Sequence, residues 1–139
     1  MSTKELAFAA STIWVIFAAV LVIFMQAGFA LVETGFTQAK NAAHVVSTNF
    51  AIFGLGFIGF YLVGFSFSFG GFSYSAFGMD APVGEALLGS GDWIFFWKGG
   101  WALTGDAITP AAIGFFLYMV AFMDTVATIP TGSMAERWK

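Results

Sequence analysis

Few side chains in this sequence are equipped for chemistry, and most of them lie inside apolar runs. Asp124 interrupts the apolar stretch near the C-terminal end, Gln26 and Asn49 interrupt two others, and His44 is the only histidine. Cysteine is absent, which removes a disulfide framework, a thiolate metal site and a cysteine nucleophile. A Ser-His-Asp arrangement would have to pass through His44, and one histidine makes neither an HExxH motif nor a metal cluster. Enzyme chemistry has little to stand on, and no cofactor or metal is implied. A formal net charge of −3 with no basic run leaves no footprint for nucleic acid.

Aromatic spacing offers more. Phe115, Tyr118, Phe122, Thr125 and Ile129 recur every three or four residues, which places them on one face of a helix. The face of an aromatic ring attracts a compact cation through its quadrupole, by about 0.5–2 kcal/mol depending on desolvation. The same stripe is what ordinary helix packing looks like, and on pattern alone packing is the better account. Asp124 is two residues beyond Phe122, about 200° around the helix, so it points away from the stripe. A carboxylate in a span costs about 2.5–3.5 kcal/mol on insertion scales. It therefore reads first as a buried contact between helices, with Thr128 one turn on as the donor, and alternatively as a way-station for a cation or proton.

These residues need elements to hold them, and composition indicates which. Charged residues are only 9% of the 139, hydrophobic ones 59%, and aromatics 19%, with 19 Phe. A soluble domain carries about 25% charge because its surface faces water, so lipid is the fitting solvent here. Three apolar runs, 6–32, 45–69 and 110–135, reach the roughly 20 residues that cross a bilayer. None alternates like a strand, and an open sheet could not satisfy its edges in lipid. The fold class is all-α, with three transmembrane helices. The first run is too long for a signal-peptide core and reads as a retained helix.

The connections differ. Glu33, Lys40 and Asn41 fit a short water-facing turn, with His44 solvated at its edge. The connection 70–109 is long and Gly-rich, and Trp93, Trp97 and Trp101 recur in it every fourth residue. That spacing fits a helical aromatic stripe at headgroup level, or equally a loop whose indoles pack on the helix ends. Pro130 predicts a kink, Gly132 a close helix contact, and Gln26 and Asn49 bonds across helices. The Glu136–Arg137 pair would anchor the end of the third helix. Lys40, Arg137 and Lys139 on one side, against Lys4 and Lys98 on the other, put the N-terminus outside by the positive-inside rule.

Three motifs sharpen this. The segment FMQAGFALVETGFTQAKN (24–41) closely resembles the first-helix signature of the ammonium transporter family, the Amt/Mep/Rh channels. YLVGFSFSFG (61–70) looks like the end of that family's second helix, and VAFMDTVATIPTGSMAERWK (120–139) is similar to its third. The resemblance implies an eleven-helix fold with an outside N-terminus, a homotrimer with one pore per subunit, and ammonium or ammonia as substrate. It implies a cytoplasmic nitrogen-regulatory protein as a partner. It places Phe122 on the family's outer phenylalanine over the pore mouth and Tyr118 in the outer vestibule. Asp124 departs from the family's usual small apolar residue. The family's two pore histidines, with a Trp, a Ser and a second Phe, come from later helices, and His44 matches neither histidine. On this reading the chain is an incomplete copy of a transporter. The alternatives are a small membrane regulatory subunit or part of an ammonium sensor.

Overall fold

A computed structural model describes residues 2–90, 93–105 and 108–137. It is mostly helical, with three helices long and apolar enough to cross a membrane. The first, α1 (Thr3–Phe36), starts at a capping box. Ser2 Oγ accepts from the Glu5 N–H at 3.2 Å, and the Glu5 carboxylate accepts from the Ser2 N–H at 2.6 Å. The helix runs on past the apolar stretch for one more turn, which brings Glu33 inside it. A short 3₁₀ turn, Ala39–Asn41, leads into α2 (Ala42–Gly59).

The second span continues through a π turn, Phe60–Gly64, into α3 (Phe65–Phe69). There the Phe65 N–H reaches back five residues to the Phe60 carbonyl. In a regular helix those two side chains would diverge by about 140°. The wider turn turns both inward, and both are buried.

The third span, α4 (Pro110–Met134), opens on Thr109, whose hydroxyl accepts from the Ala112 N–H at 3.2 Å, with Pro110 in the first turn. It is the most buried of the three helices. Ala111, Ala112, Gly114 and Ala121 are buried on it. Ala19 is fully buried on α1, and Thr12 of α1 lies beside Gly114. Small residues let backbones approach, which matters because lipid offers no hydrophobic drive between helices. Close packing and interhelical hydrogen bonds must supply the adhesion.

Packing is aromatic at one end of the bundle. Phe60, Phe65, Phe115 and Phe116 are buried together, with Phe60 stacked on Phe116 at 5.7 Å and Phe72 on Phe115 at 4.6 Å. Above them the long connection folds into an antiparallel hairpin, β1 (Glu85–Ser90) and β2 (Trp93–Lys98). Trp97 lies directly on Gly70 and Gly71. The hairpin base is tied to the second span by Ser66 Oγ donating to the Gly99 carbonyl at 2.7 Å and the Gly84 N–H to the Gly70 carbonyl at 2.8 Å. The helical-stripe account of the tryptophans is thereby overturned. Trp93 and Trp97 belong to a strand, and Trp101 to a separate 3₁₀ turn. Asp92, Asp106 and Lys139, counted among the charges, lie outside the described residues.

Candidate functional site

The outward face of α4 carries the aromatic pair. Phe122 is 39% exposed, and the ring of Tyr118 meets it edge-on, with centroids 4.9 Å apart at 65°. The residues are one helical turn apart on the same helix, so backbone geometry alone brings them together. The expected five-residue stripe divides here. Phe115 is buried in the aromatic core against Phe65, Phe69 and Phe72. Ile129 is exposed at the other end. Of the stripe's three aromatic residues, Phe122 is exposed, Tyr118 half-buried and Phe115 buried.

Asp124 faces the opposite way, between the three helices, and is 3% exposed. Its immediate surroundings are Ile23, Phe53, Phe57, Val120, Ala121 and Met123, with essentially no volume left for a water. Oδ1 has no hydrogen-bond partner among the described residues. Thr128, expected to serve it, is engaged elsewhere. The burial between helices is as expected and the hydrogen bond is not there. An unpaired buried oxygen is costly in so apolar a setting.

The polar group that does join the helices lies one turn further along. Glu33 Oε2 accepts from Asn49 Nδ2 at 2.8 Å, and Asn49 Oδ1 accepts from Gln26 Nε2 at 3.2 Å. Gln26 Nε2 also donates to Thr128 Oγ1 at 3.0 Å, and Asn49 Nδ2 to the Val45 carbonyl at 3.1 Å. Each of the three spans thus contributes to one chain of hydrogen bonds. Asn49 and Thr128 are 2% and 0% exposed. Gln26 and Asn49 behave as their position in apolar runs predicts. Glu33 does not: it is buried rather than in a water-facing turn, because α1 continues beyond it and Gly132 makes room. The signal that could have found this was the pairing of an acid in one span with a glycine in another.

Below this chain, the ends of α1, α2 and α4 frame a cavity of about 330 Å³ lined by Glu33, His44, Thr48, Thr131 and Glu136, among others. His44 is exposed on the first turn of α2. Glu136 ties the end of the third span to the first connection. Its Oε1 accepts from the Gln38 N–H at 2.6 Å and from Asn41 Nδ2 at 3.1 Å. Those two donors, with Lys40 nearby, hold its carboxyl below the usual glutamate range, against a smaller desolvation effect. Glu136 thus does the anchoring expected of the Glu136–Arg137 pair, but through the turn.

The profile of the Ammonium Transporter Family matches residues 13–139. The chain belongs to that family. Among its relatives is ammonium transporter Amt2 of Archaeoglobus fulgidus, 36% identical over 128 residues, which are 91% of this chain and 23% of the relative. Ammonium transporter 1 member 3 of Solanum lycopersicum is 33% identical over 127 residues, 91% of the chain and 23% of the relative. Ammonium transporter 3 of Dictyostelium discoideum is 32% identical over 136 residues, 98% and 26%. The chain spans about a quarter of the length of these relatives. No solved structure matches it. As a family member with three membrane-capable helices, it is a multi-pass membrane protein. Within that family setting the structure presents Phe122 exposed beside half-buried Tyr118, and two buried acids, Asp124 and Glu33.

Proposed function

We propose that this chain forms the first three spans of a channel or transporter for ammonium or ammonia. Its N-terminus and the connection 70–109 lie outside the cell. In the assembled protein Phe122, with Tyr118 beside it, stands at the outer mouth of the pore. The whole protein is a homotrimer in the lipid bilayer and meets a nitrogen-regulatory protein on its cytoplasmic side.

One observation carries this reading. In a chain whose family is shown along nearly its whole length, the aromatic pair occupies the face of α4 that α1 and α2 leave open. The chemistry of that face suits the substrate. A ring face attracts the ammonium ion, and Phe122 is 39% exposed with the Tyr118 ring packed against it in an edge-to-face pair. Rings at a narrow entrance also exclude water, so a metal cation would shed hydration without recovering it.

The test is to express the reading frame that encodes this chain, with any coding sequence that adjoins it, in cells lacking ammonium uptake. Restored growth on low ammonium is the expected result. In the same cells Phe122→Ala should raise the apparent KM by about 2- to 30-fold, the loss of one cation–π contact. Normal membrane levels without any growth would sink the transport reading. Altered uptake through a co-expressed intact transporter would point instead to a regulatory subunit.

A further inference from the structure

We propose that Glu33 is a positioning residue for Phe122, acting through Asn49 and Gln26 on α4; this rests on the aromatic-mouth reading above. The argument starts from what fixes α4. At one end Phe115, Phe116 and Val120 are locked into the aromatic core. At the other end lies Pro130, inside the helix, which has no N–H to give to the Val126 carbonyl. A helix missing that bond bends more readily, so its direction there must be set from outside.

The outside contacts bracket Pro130 closely. Thr128, two residues before it, is fully buried and bonded to Gln26. Gly132, two residues after it, lies against the Glu33 carboxylate, and a Cβ there would come 2.8 Å from Oε1. Glu33 thus touches α4 twice: directly at Gly132, and at Thr128 through Asn49 and Gln26. Both routes end on the segment that Pro130 loosens. Thr128 is six residues from Phe122, about 9 Å along the axis and about 120° around it. A small rotation of α4 at Thr128 therefore turns the Phe122 ring with it.

The contact Glu33 makes with Asn49 needs an acceptor, not a charge. A glutamine at this position keeps a carbonyl oxygen for the Asn49 Nδ2 donor, and a leucine of similar bulk does not. A role as a cation site would make the opposite demand, since both substitutions remove the charge. The two side-chain replacements therefore separate positioning from electrostatics.

The experiment measures ammonium uptake by the transporter carrying this chain, with surface amount as a control. Glu33→Leu should raise apparent KM by about fivefold or more, and Glu33→Gln should stay within about twofold of the parent. In a Phe122→Ala background the Glu33→Leu effect should shrink below about twofold, because two changes that act through one ring do not add. Equal damage from Glu33→Gln and Glu33→Leu, or a Glu33→Leu effect undiminished by Phe122→Ala, would overturn the proposal. If Phe122→Ala raises KM and Glu33→Leu does not, positioning alone fails. If Phe122→Ala leaves KM unchanged, the aromatic-mouth reading falls and the proposal falls with it. Should Glu33→Leu not reach the membrane, Thr128→Val breaks the same chain from the α4 side, by removing the hydroxyl that accepts from Gln26 Nε2. A KM rise that vanishes with Phe122→Ala supports the proposal, and an unchanged KM overturns it.

Discussion

Gly132 of α4 and Glu33 of α1 are in contact so close that a side chain at 132 fits only if the Glu33 carboxylate moves. A Cβ at 132 would lie 2.8 Å from Glu33 Oε1 and 3.0 Å from its Cδ. Those atoms belong to a flexible side chain, so alanine can be absorbed by a shift of the carboxylate. A larger residue cannot. Gly132→Leu should therefore separate the ends of α1 and α4 and break the Asn49 contact, costing about 1–3 kcal/mol as overpacking does. Thermal unfolding in detergent should show a clear loss for Gly132→Leu and a smaller one for Gly132→Ala. Equal stability of both variants would mean that the close approach is not maintained.

Tyr118 meets Phe122 through its ring, in an edge-to-face pair. Tyr118→Phe should therefore leave the apparent KM for ammonium within about twofold, while Tyr118→Ala removes an edge-to-face pair of about 0.5–1.5 kcal/mol. Labelled methylammonium uptake measures both. A large effect of Tyr118→Phe would shift attention to the phenol oxygen and away from the ring.

How much of this was legible in the sequence depends on what lipid makes visible. Spans were readable because a bilayer demands long apolar runs, and Gln26 and Asn49 stood out within them. Two things were hidden for physical reasons. In a membrane every helix face is apolar, so periodicity could not tell buried Phe115 from exposed Ile129. Glu33 follows an apolar run and looked like its boundary, yet the helix continues to Phe36 and Gly132 supplies the space. The tryptophans of the connection misled in another way. A four-residue spacing suggests a helix, while what decides the matter is hairpin pairing, Trp97 with Ala86 and Trp93 with Ser90, which a helical periodicity does not register.

The docking of that hairpin depends on two glycines. At Gly71, as at Gly70, a Cβ would run into the Trp97 indole. Gly71→Ala should lift the hairpin from the second span and weaken the bond from the Gly84 N–H to the Gly70 carbonyl. An overlap of about 1–3 kcal/mol corresponds to about 5- to 150-fold faster opening. Hydrogen exchange at Gly84 should accelerate by that order, with α2 amides unchanged. Unchanged exchange at Gly84 would show that the indole has room to move.

Asp124 presents the sharper choice between structure and chemistry. A buried acid retained for helix adhesion should have its oxygens bonded, but Oδ1 has no partner while Gln26, Asn49 and Thr128 bond elsewhere. Its removal should not weaken the fold. Asp124→Asn is expected to keep the melting temperature of the parent and to lower uptake by about tenfold or more, consistent with the functional weight of intramembrane acids. Normal uptake by Asp124→Asn at normal surface amounts would show that the carboxylate is dispensable for transport.

The end of the third span should come loose with acid. Glu136 is bound as a carboxylate by the Gln38 N–H and Asn41 Nδ2, with Lys40 nearby, and its folded pKa lies below a glutamate's ordinary 4.5. A depressed carboxyl pKa adds stability that is fully present above the unfolded value and is lost as pH falls through the folded one. The contact is exposed, so its contribution is screened. The tie between the α4 end and the α1–α2 turn should therefore hold at neutral pH and weaken only below 4.5. Exchange of the Gln38 amide, corrected for its intrinsic pH dependence, follows this directly. Protection should fall with acid in the parent and be lower at neutral pH in Glu136→Ala, with little further change on acidification. Protection that ignores both the acid and the substitution would assign the Gln38 amide to another acceptor.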